Sequence, residues 1–229
     1  METIKLKDMM ETIIQSTFNR LETAYNNHKE GFNSKLPLPT GNESRLVFPA
    51  YYKKGEIKDT RISEQELRFA FVEEFNRYCK EKNIKLYYSI ETPTKDTYSD
   101  FSTKPKQTPN GRSAEFDMVV FNEDLHRVCL IEFKANNADE VDHWKDFLKL
   151  EVDEKDNTDV LRYFIEVVKS YTNGTINSLK NNKFKYKGKL TEVRCFALEG
   201  RSYKKAKNPG EDISNKFNDI PPFDYTNEK

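Results

Sequence analysis

Asp117, Glu132 and Lys134 are the residues whose types and spacing are best suited to chemistry. Asp117 lies in one short apolar run, Glu132 and Lys134 lie in the next, and a polar turn separates the two runs. A symmetric turn centred between Asp124 and Leu125 would pair Asp117 with Glu132 in an antiparallel hairpin, with Cβ atoms about 4.5–5.5 Å apart. Lys134 follows Glu132 by two positions, so its side chain leaves the same face of the sheet.

Two carboxylates that face each other on an otherwise apolar sheet are unfavourable unless a positive charge neutralises them. A divalent cation would do so, and Mg²⁺ prefers oxygen ligands, with Mn²⁺ as the expected substitute. Such an ion polarises a phosphoryl oxygen and lowers the pKa of a bound water. Lys134 would place positive charge beside the attacking water or the transition state. The pattern therefore predicts Mg²⁺-dependent hydrolysis of a phosphodiester.

The alternative interpretation of these residues is structural. An isolated acid in a strand is usually a solvated edge residue, and a Glu-x-Lys pair in a strand is commonly a salt bridge on one face. The matched positions of Asp117 and Glu132, and the apolar residues around them, favour the site.

A third acid is expected from the helix that precedes the strands. Ser63 and Glu66 have the spacing of a capping box, which predicts a helix from residue 63 to about Lys82. At 100° per residue, Glu64 falls on the apolar side with Leu67, and Glu66 falls nearly opposite. We therefore assign Glu64 to the metal site and Glu66 to the cap. The helix dipole alone also favours acids in a first turn, and a shift of one position would exchange the two roles.

The elements that must position these residues follow from periodicity and turn signals, and their core order is helix, three strands, helix or helices, strand. Because the hairpin is apolar on both faces, we expect helices on both sides of the sheet. The predicted helices are 3–26, 63–82, 139–151 and one beginning near Asp159; the predicted strands are 84–92, 115–122, 127–135 and 192–198, with loops at 31–45 and 93–113.

Composition narrows the functional class. The chain of 229 residues carries 38 Lys or Arg and 38 Asp or Glu, so its net charge is zero. The basic residues are not evenly spread, because residues 180–207 hold ten Lys or Arg against two Glu and could contact phosphates. No apolar run approaches the ~20 residues that span a bilayer, and the three cysteines suggest no disulfide framework. These features predict a cytoplasmic protein that does not bind membranes.

The histidines are not assigned a role, because His28, His126 and His143 are far apart in the sequence. We expect His126 in the hairpin turn and His143 on the surface of its helix, beside a buried Trp144.

Phe116-Asp117, followed by Ile131-Glu132-Phe133-Lys134, resembles the signature of the PD-(D/E)xK, or restriction-endonuclease-like, nucleases. The resemblance covers about residues 62–200 and implies an α/β fold with an αβββαβ core. It implies that Asp117 and Glu132 bind Mg²⁺, that Lys134 assists the nucleophile, and that Glu64 corresponds to the acid of the first core helix. The proline of the signature is absent, since Glu115 and Phe116 precede the aspartate.

The sequence thus predicts a nuclease-like core at 62–200, an N-terminal helical and loop extension at 1–61 packed on it, and a basic, then irregular tail at 201–229. Nucleic acid is the expected partner, DNA before RNA, and a homodimer is left open because no surface in the sequence defines one. The main alternative is a catalytically inactive domain of the same fold that binds nucleic acid or protein. An enzyme directed at RNA is the third hypothesis.

Overall fold

A computed structural model gives the positions of the helices and strands. The helices are α1 (Thr3–Lys29), α2 (Glu64–Lys82), α3 (Glu140–Val152) and α4 (Asn173–Ser178), with a 3₁₀ turn at Ser214–Phe217. The strands are β1 (Ala50–Lys53), β2 (Glu56–Thr60), β3 (Tyr87–Tyr98), β4 (Arg112–Phe121), β5 (Arg127–Ala135), β6 (Leu161–Val168), β7 (Glu192–Ala197) and β8 (Glu211–Asp212). The described residues are 3–29, 45–99, 106–136, 140–180, 188–201 and 209–217.

A six-stranded mixed sheet forms the centre, in the order β3-β4-β5-β6-β7-β8. Strands β3, β4 and β5 are antiparallel, β5, β6 and β7 are parallel, and β8 is antiparallel to β7. Strands β1 and β2 form a separate two-stranded hairpin. The expectation of an α/β protein with a mixed central sheet is confirmed.

Helices cover both faces of this sheet, as the apolar hairpin predicts. One hydrophobic cluster joins α1 and α2 to the sheet, and its rings include Phe71 against Phe133, with centroids 5.4 Å apart, and Phe18 against Phe196 at 5.0 Å. The other cluster joins α3, α4 and the 3₁₀ turn to the opposite face. Burying each such phenyl ring contributes roughly 1.5–3 kcal/mol. Within the described ranges, no helix combines the length and apolar character needed to cross a bilayer.

Helix α2 has the boundaries that the sequence predicts. The Ser63 backbone N–H donates to Glu66 Oε2 at 2.8 Å, as in a capping box, and the Ser63 hydroxyl donates to the same carboxylate. The helix ends at Lys82, and Asn83 takes the left-handed conformation that commonly terminates helices. Its first turn is therefore fixed in phase, which decides where Glu64 points.

The prediction of a helix that begins near Asp159 is wrong, because residues Leu161–Val168 form strand β6. This strand lies between β5 and β7 and is covered by helices on both faces, so nearly all of its residues are buried. A parallel strand buried on both faces has a continuous apolar run instead of alternation, and periodicity alone does not separate such a run from a buried helix.

The prediction of a strand at 84–92 followed by a long loop at 93–113 is also wrong in its boundaries. Strand β3 continues to Tyr98 and β4 begins at Arg112, so the two form a long hairpin. Pro93 is tolerated because β3 is an edge strand, and the pairing shifts register between Pro93 and Thr97. Residues 100–105, and 31–44 of the other predicted loop, lie outside the described residues.

The expected irregular tail contains ordered structure in its described part. Strand β8 pairs with β7, and Ile213 and Phe217 are buried in the cluster on the α3 face. A two-residue strand followed by a 3₁₀ turn is too short to have a periodic hydrophobic pattern, so it cannot be predicted from the sequence in this way.

Arg162 on β6 forms hydrogen bonds with the backbone of the segment between α3 and β6. The residue is 1 % exposed, and its guanidinium donates to the backbone carbonyls of Val160 at 2.6 Å and Glu154 at 3.0 Å, with longer contacts to Asp153 and Asn157. A planar guanidinium offers five donors in a fixed fork, which suits several carbonyls at once.

We expect Arg162→Met to lower the free energy of unfolding by about 3 kcal/mol, because it leaves several buried carbonyl groups without donors. Urea denaturation followed by circular dichroism measures this. Arg162→Lys is the matched control and should recover only part of the loss, since an ammonium cannot span the same carbonyls. A Met variant within about 0.5 kcal/mol of the wild type, the range of an ordinary surface change, would contradict the assignment.

Candidate metal and phosphodiester site

Asp117 lies on β4 at the position where the pairing of β4 with β5 ends. The predicted register is found in three consecutive pairs, which end at Met118 opposite Ile131. The turn itself is not symmetric, because Phe121 pairs with Arg127 and the register shifts between Val120 and Phe121, and the described ladder does not extend to the predicted pair of Asp117 and Glu132. Beyond Met118 the ladder stops, and the Asp117 side chain bridges the gap, because its Oδ2 accepts a hydrogen bond from the Phe133 backbone N–H at 2.7 Å. Its Oδ1 accepts from the Arg68 guanidinium of α2 at 2.6 Å. Asp117 therefore faces the strand that carries Glu132 and Lys134.

Glu132 is the most deeply buried acid of this group, with a side chain 1 % exposed. Its Oε1 lies 2.7 Å from the ammonium of Lys149 on α3. The same ammonium lies 2.9 Å from Asp146 Oδ1 and donates to the Glu115 carbonyl oxygen at 2.8 Å. Lys149 thus neutralises two carboxylates and ties α3 to both strands of the hairpin.

Lys134 and Glu64 meet at the edge of the same group. The Lys134 ammonium lies 2.9 Å from Asp146 Oδ2 and 3.5 Å from Glu64 Oε1. Glu66 is held by Ser63 in the capping box. The structure therefore brings Glu64, and not Glu66, to Lys134, as the helical phase predicts.

Ion pairs join Glu64, Lys134, Asp146, Lys149 and Glu132 in one chain of contacts. The Arg68–Asp117 pair lies close enough to interact electrostatically with Glu132 and Lys134, and we call the whole set the charged cluster. Its described members are four carboxylates and three cations, and the side-chain exposure falls from 37 % at Glu64 and 17 % at Asp117 to 1 % at Glu132. The cluster therefore opens to solvent beside Glu64 and Asp117 and is closed beneath by α3. Its members are Glu64, Arg68, Asp117, Glu132, Lys134, Asp146 and Lys149.

Burial and mutual repulsion disfavour charge on two of the acids. Burial raises the pKa of Glu132 well above its usual range, and Asp146 and Asp117 add to the increase although Lys149 opposes it. Burial likewise raises the pKa of Glu64, with Lys134 opposing and Asp117 and Asp146 adding. A positive charge placed between these carboxylates would relieve both effects.

The lysines respond in the opposite sense. Burial by itself disfavours the Lys134 ammonium, but the surrounding carboxylates, led by Asp146 and Glu132, outweigh it and raise its pKa. The pKa of Lys149 is raised for the same reason, by Glu132 and Asp146 against burial. Lys149 and Lys134 together lower the pKa of Asp146 although burial opposes them. Lys134 is thus held as a cation and suits electrostatic stabilisation better than proton abstraction.

Sequence analysis did not identify Arg68, Asp146 and Lys149 as members of the site. Asp146 and Lys149 are three positions apart and project from one side of α3, and His143 lies a further three positions back. That spacing of polar residues on a helix with an apolar face is the signal that could have found them. Arg68 has no comparable signal beyond lying one turn after Glu64.

The expectation of a surface position for His143 is wrong. Its side chain is fully buried, and its Nε2 lies 3.6 Å from Oε2 of Glu166, which is also fully buried on β6. Glu166 pairs in register with Lys134 on β5, so this contact adjoins the charged cluster. His143 is buried because α3 turns this side, with Phe147, towards the sheet.

The donor set of the charged cluster suits Mg²⁺, because carboxylate oxygens are its preferred protein ligands. Glu132 Oε1 is buried and lies against the Lys149 ammonium. A positive charge therefore already stabilises this carboxylate, and a metal ion could supply the same charge. Among the residues that the structure describes, no three acidic, His or Cys side chains surround a common point. Mg²⁺ commonly binds through only one or two carboxylates, with waters and substrate phosphates completing its shell. Asp117 and Glu132, with Glu64 beside them, therefore fit the ion.

Comparisons of the chain with protein-family models, with characterised proteins and with solved structures find no match. The assignment of a function therefore depends on the geometry of the charged cluster.

Proposed function

We propose that this protein is a Mg²⁺-dependent nuclease that hydrolyses phosphodiester bonds, with DNA as the favoured substrate. The observation that supports this most is the placement of Asp117 and Glu132 on adjacent strands, close enough that Asp117 raises the pKa of both Glu132 and Lys134, in a cluster that reaches solvent at Glu64 and Asp117. Two carboxylates and an amine beside solvent are the parts that metal-assisted phosphodiester hydrolysis requires.

The chain's own residues take distinct parts in this proposal. Asp117 and Glu132 would hold the ion, and Glu64, at the exposed rim, would be a further ligand. Arg68 orients Asp117 through its contact at 2.6 Å. Lys134 remains protonated and stabilises negative charge that develops on the attacked phosphate. When bound, Mg²⁺ polarises a phosphoryl oxygen and lowers the pKa of a water ligand.

The order of elements supports a restriction-endonuclease-like core. Helix α2 precedes the antiparallel strands β3, β4 and β5, and α3 then leads to the parallel strand β6. This succession agrees with the αβββαβ core that the resemblance implies. The acids lie on the second and third strands and the accessory acid on the first helix, which is the arrangement expected for that family.

A second function has a specific observation in its favour. Arg68 engages Asp117 and Lys149 engages Glu132, so both acids have cationic partners without any metal. A catalytically inactive domain that binds nucleic acid would be stable with such pairs in place. For a nuclease, Lys149 or Arg68 must release its acid, in whole or in part, when the ion binds.

One assay separates these functions. Purified protein is incubated with supercoiled plasmid, single-stranded DNA and RNA, in Mg²⁺, Mn²⁺ or EDTA, alongside Asp117→Asn. This variant keeps the size of the side chain and an oxygen that can accept from Phe133, but it removes the charge that a metal needs. We expect cleavage of DNA in Mg²⁺, no cleavage in EDTA, and a loss of about 100-fold or more in the variant.

Cleavage of RNA alone would support the proposed phosphodiester hydrolysis, with RNA as the substrate in place of DNA. Binding of nucleic acid without metal-dependent cleavage by the wild type would support the inactive domain. Cleavage that Asp117→Asn leaves at the wild-type rate would show a contaminant or a different site.

A further inference from the structure

A second polar cavity lies away from the charged cluster, beyond the ends of β6 and β7. It is open to solvent and has a volume of about 300 Å³, roughly ten times the volume of one water in the liquid. We call it the basic pocket. The lining residues that matter here are Tyr171, Asn173, Asn177, Lys180, Arg201 and Lys216.

The charge of the basic pocket is mainly positive. Lys180, Arg201 and Lys216 reach it from three different parts of the chain, and two asparagine side chains add amide donors. The Arg201 guanidinium donates to Asn173 Oδ1 at 2.9 Å, which fixes its orientation. Three cations and two amides around one cavity are suited to a phosphate group.

One acid adjoins these cations. Glu211 Oε1 lies 3.0 Å from the Lys216 ammonium, and Oε2 accepts from the Tyr171 hydroxyl. The Lys216 ammonium also stands 5.0 Å from the centre of the Tyr171 ring. These contacts hold Lys216 beside Tyr171, and Glu211 offsets one of the three positive charges that line the pocket.

The basic pocket and the charged cluster lie at the same edge of the sheet. Strands β5, β6 and β7 are parallel, so their carboxyl ends at Ala135, Val168 and Ala197 share one edge. Lys134 is the next-to-last residue of β5, and the backbones of Tyr171 and Arg201 form a bridge just beyond β6 and β7. Ligands of open α/β sheets bind outside the carboxyl ends of the strands. One polyanion passing along this edge could contact both.

We propose that the basic pocket binds a backbone phosphate of the nucleic acid whose cleavage is proposed for the charged cluster. The partner rests on the proposed function, but the binding itself requires no cleavage. A contact to a backbone phosphate carries no sequence information, so we expect this pocket to position the strand without selecting a base. It would set the position of the strand relative to Lys134 and strengthen binding at low salt.

The test measures binding of a short fluorescent DNA duplex by anisotropy, in EDTA, over a range of salt concentrations. The double variant Lys180→Gln/Arg201→Gln removes two positive charges from the pocket. The pocket holds one phosphate, and each lost phosphate contact reduces the slope of log affinity against log salt by about 0.9, so we expect the magnitude of the slope to fall by about that amount. At low salt the affinity should fall by at least about tenfold.

Two controls isolate the pocket. Lys82→Gln/Lys85→Gln removes the same charge at the opposite end of the molecule, since Lys82 ends α2 and Lys85 contacts Glu123 of the hairpin turn. Lys180→Arg/Arg201→Lys keeps the charge within the pocket. Both controls should retain the wild-type slope. Circular dichroism of every variant confirms that the fold is retained.

The outcomes distinguish this proposal from the proposed function. If wild-type protein cleaves DNA and the pocket variant keeps its affinity and slope, the pocket proposal is overturned and the nuclease stands. If the wild type binds with a pocket-dependent slope but cleaves nothing in any metal, the nuclease is overturned and the pocket stands. Calorimetry with inorganic phosphate adds a third arm. Binding of free phosphate that the variant loses, with DNA affinity unchanged, would assign the pocket to a small anion and overturn the proposal.

Discussion

Lys134→Ala is expected to lower the rate of DNA cleavage by about 100- to 1,000-fold, the usual loss when one group that stabilises transition-state charge is removed. The ammonium of Lys134 lies between Asp146 and Glu64 at the open side of the charged cluster, and its raised pKa keeps it cationic. Because it acts on charge that develops during the reaction, DNA binding in EDTA should not change. Single-turnover cleavage in Mg²⁺ and anisotropy in EDTA measure the two effects.

Lys85→Ala is the matched control for this prediction, because Lys85 is an exposed lysine that pairs with Glu123 away from the cluster. It should cleave at the wild-type rate. Lys134→Arg keeps the charge with a bulkier head group and should retain part of the activity. If Lys134→Ala cleaves as fast as the Lys85→Ala control, Lys134 has no part in the reaction.

Lys149→Met is expected to lower the free energy of unfolding in EDTA by about 3–5 kcal/mol, the usual cost of removing one partner of a buried ion pair. Lys149 neutralises Glu132 at 2.7 Å and Asp146 at 2.9 Å, and all three side chains are nearly inaccessible to solvent. Added Mg²⁺ or Mn²⁺ should recover part of this loss, because an ion at Glu132 replaces the missing charge. At a concentration 100 times its dissociation constant, an ion contributes about 2.7 kcal/mol.

The control for this prediction is the double variant Lys149→Met/Glu132→Gln. Replacing the carboxylate by an amide removes the buried negative charge that Lys149 leaves behind. The double variant should therefore be more stable in EDTA than Lys149→Met alone, and metal should not stabilise it. Denaturant unfolding with and without metal measures both. Equal stabilisation of the two variants by metal would show that the ion binds elsewhere.

The parts of this fold that sequence patterns anticipate are those with local signals. The capping box of Ser63 and Glu66 sets the start of α2, and the short connection between β4 and β5 anticipates a hairpin, whose pairs from Val120 to Met118 have the expected register after a shift next to the turn. These two features fix the phase of Glu64 on its helix and place Asp117 and Lys134 on adjacent strands. The packing of α2 on the sheet, which is tertiary, then brings Glu64 to Lys134.

The parts that sequence patterns miss depend on the surroundings of each segment. Strand β6 reads as a helix because helices bury both of its faces, and β3 passes through Pro93 because it has a free edge. Neither condition can be known before the sheet is assembled. The short strand β8 is fixed by its pairing with β7 and not by its own sequence.

The same distinction applies to the charged cluster. Glu64, Asp117 and Glu132 are found from spacing, but Asp146 is not, and the cationic partners Arg68 and Lys149 come from α2 and α3, which meet the hairpin only through tertiary packing. From the sequence alone, Asp117 and Glu132 need a nearby positive charge, and a metal ion is predicted to provide it. The structure adds that two side chains already provide positive charge at those carboxylates.

Calorimetric titration of Mn²⁺ into the wild type, Asp117→Asn and Glu132→Gln, with DNA absent, tests directly whether these two acids hold an ion. We expect binding by the wild type and a large loss of affinity in each variant, with Lys82→Gln binding as the wild type does. Equal affinity in all four proteins, or a wild type that binds no Mn²⁺ and cleaves DNA in EDTA, would contradict a metal-dependent site at Asp117 and Glu132.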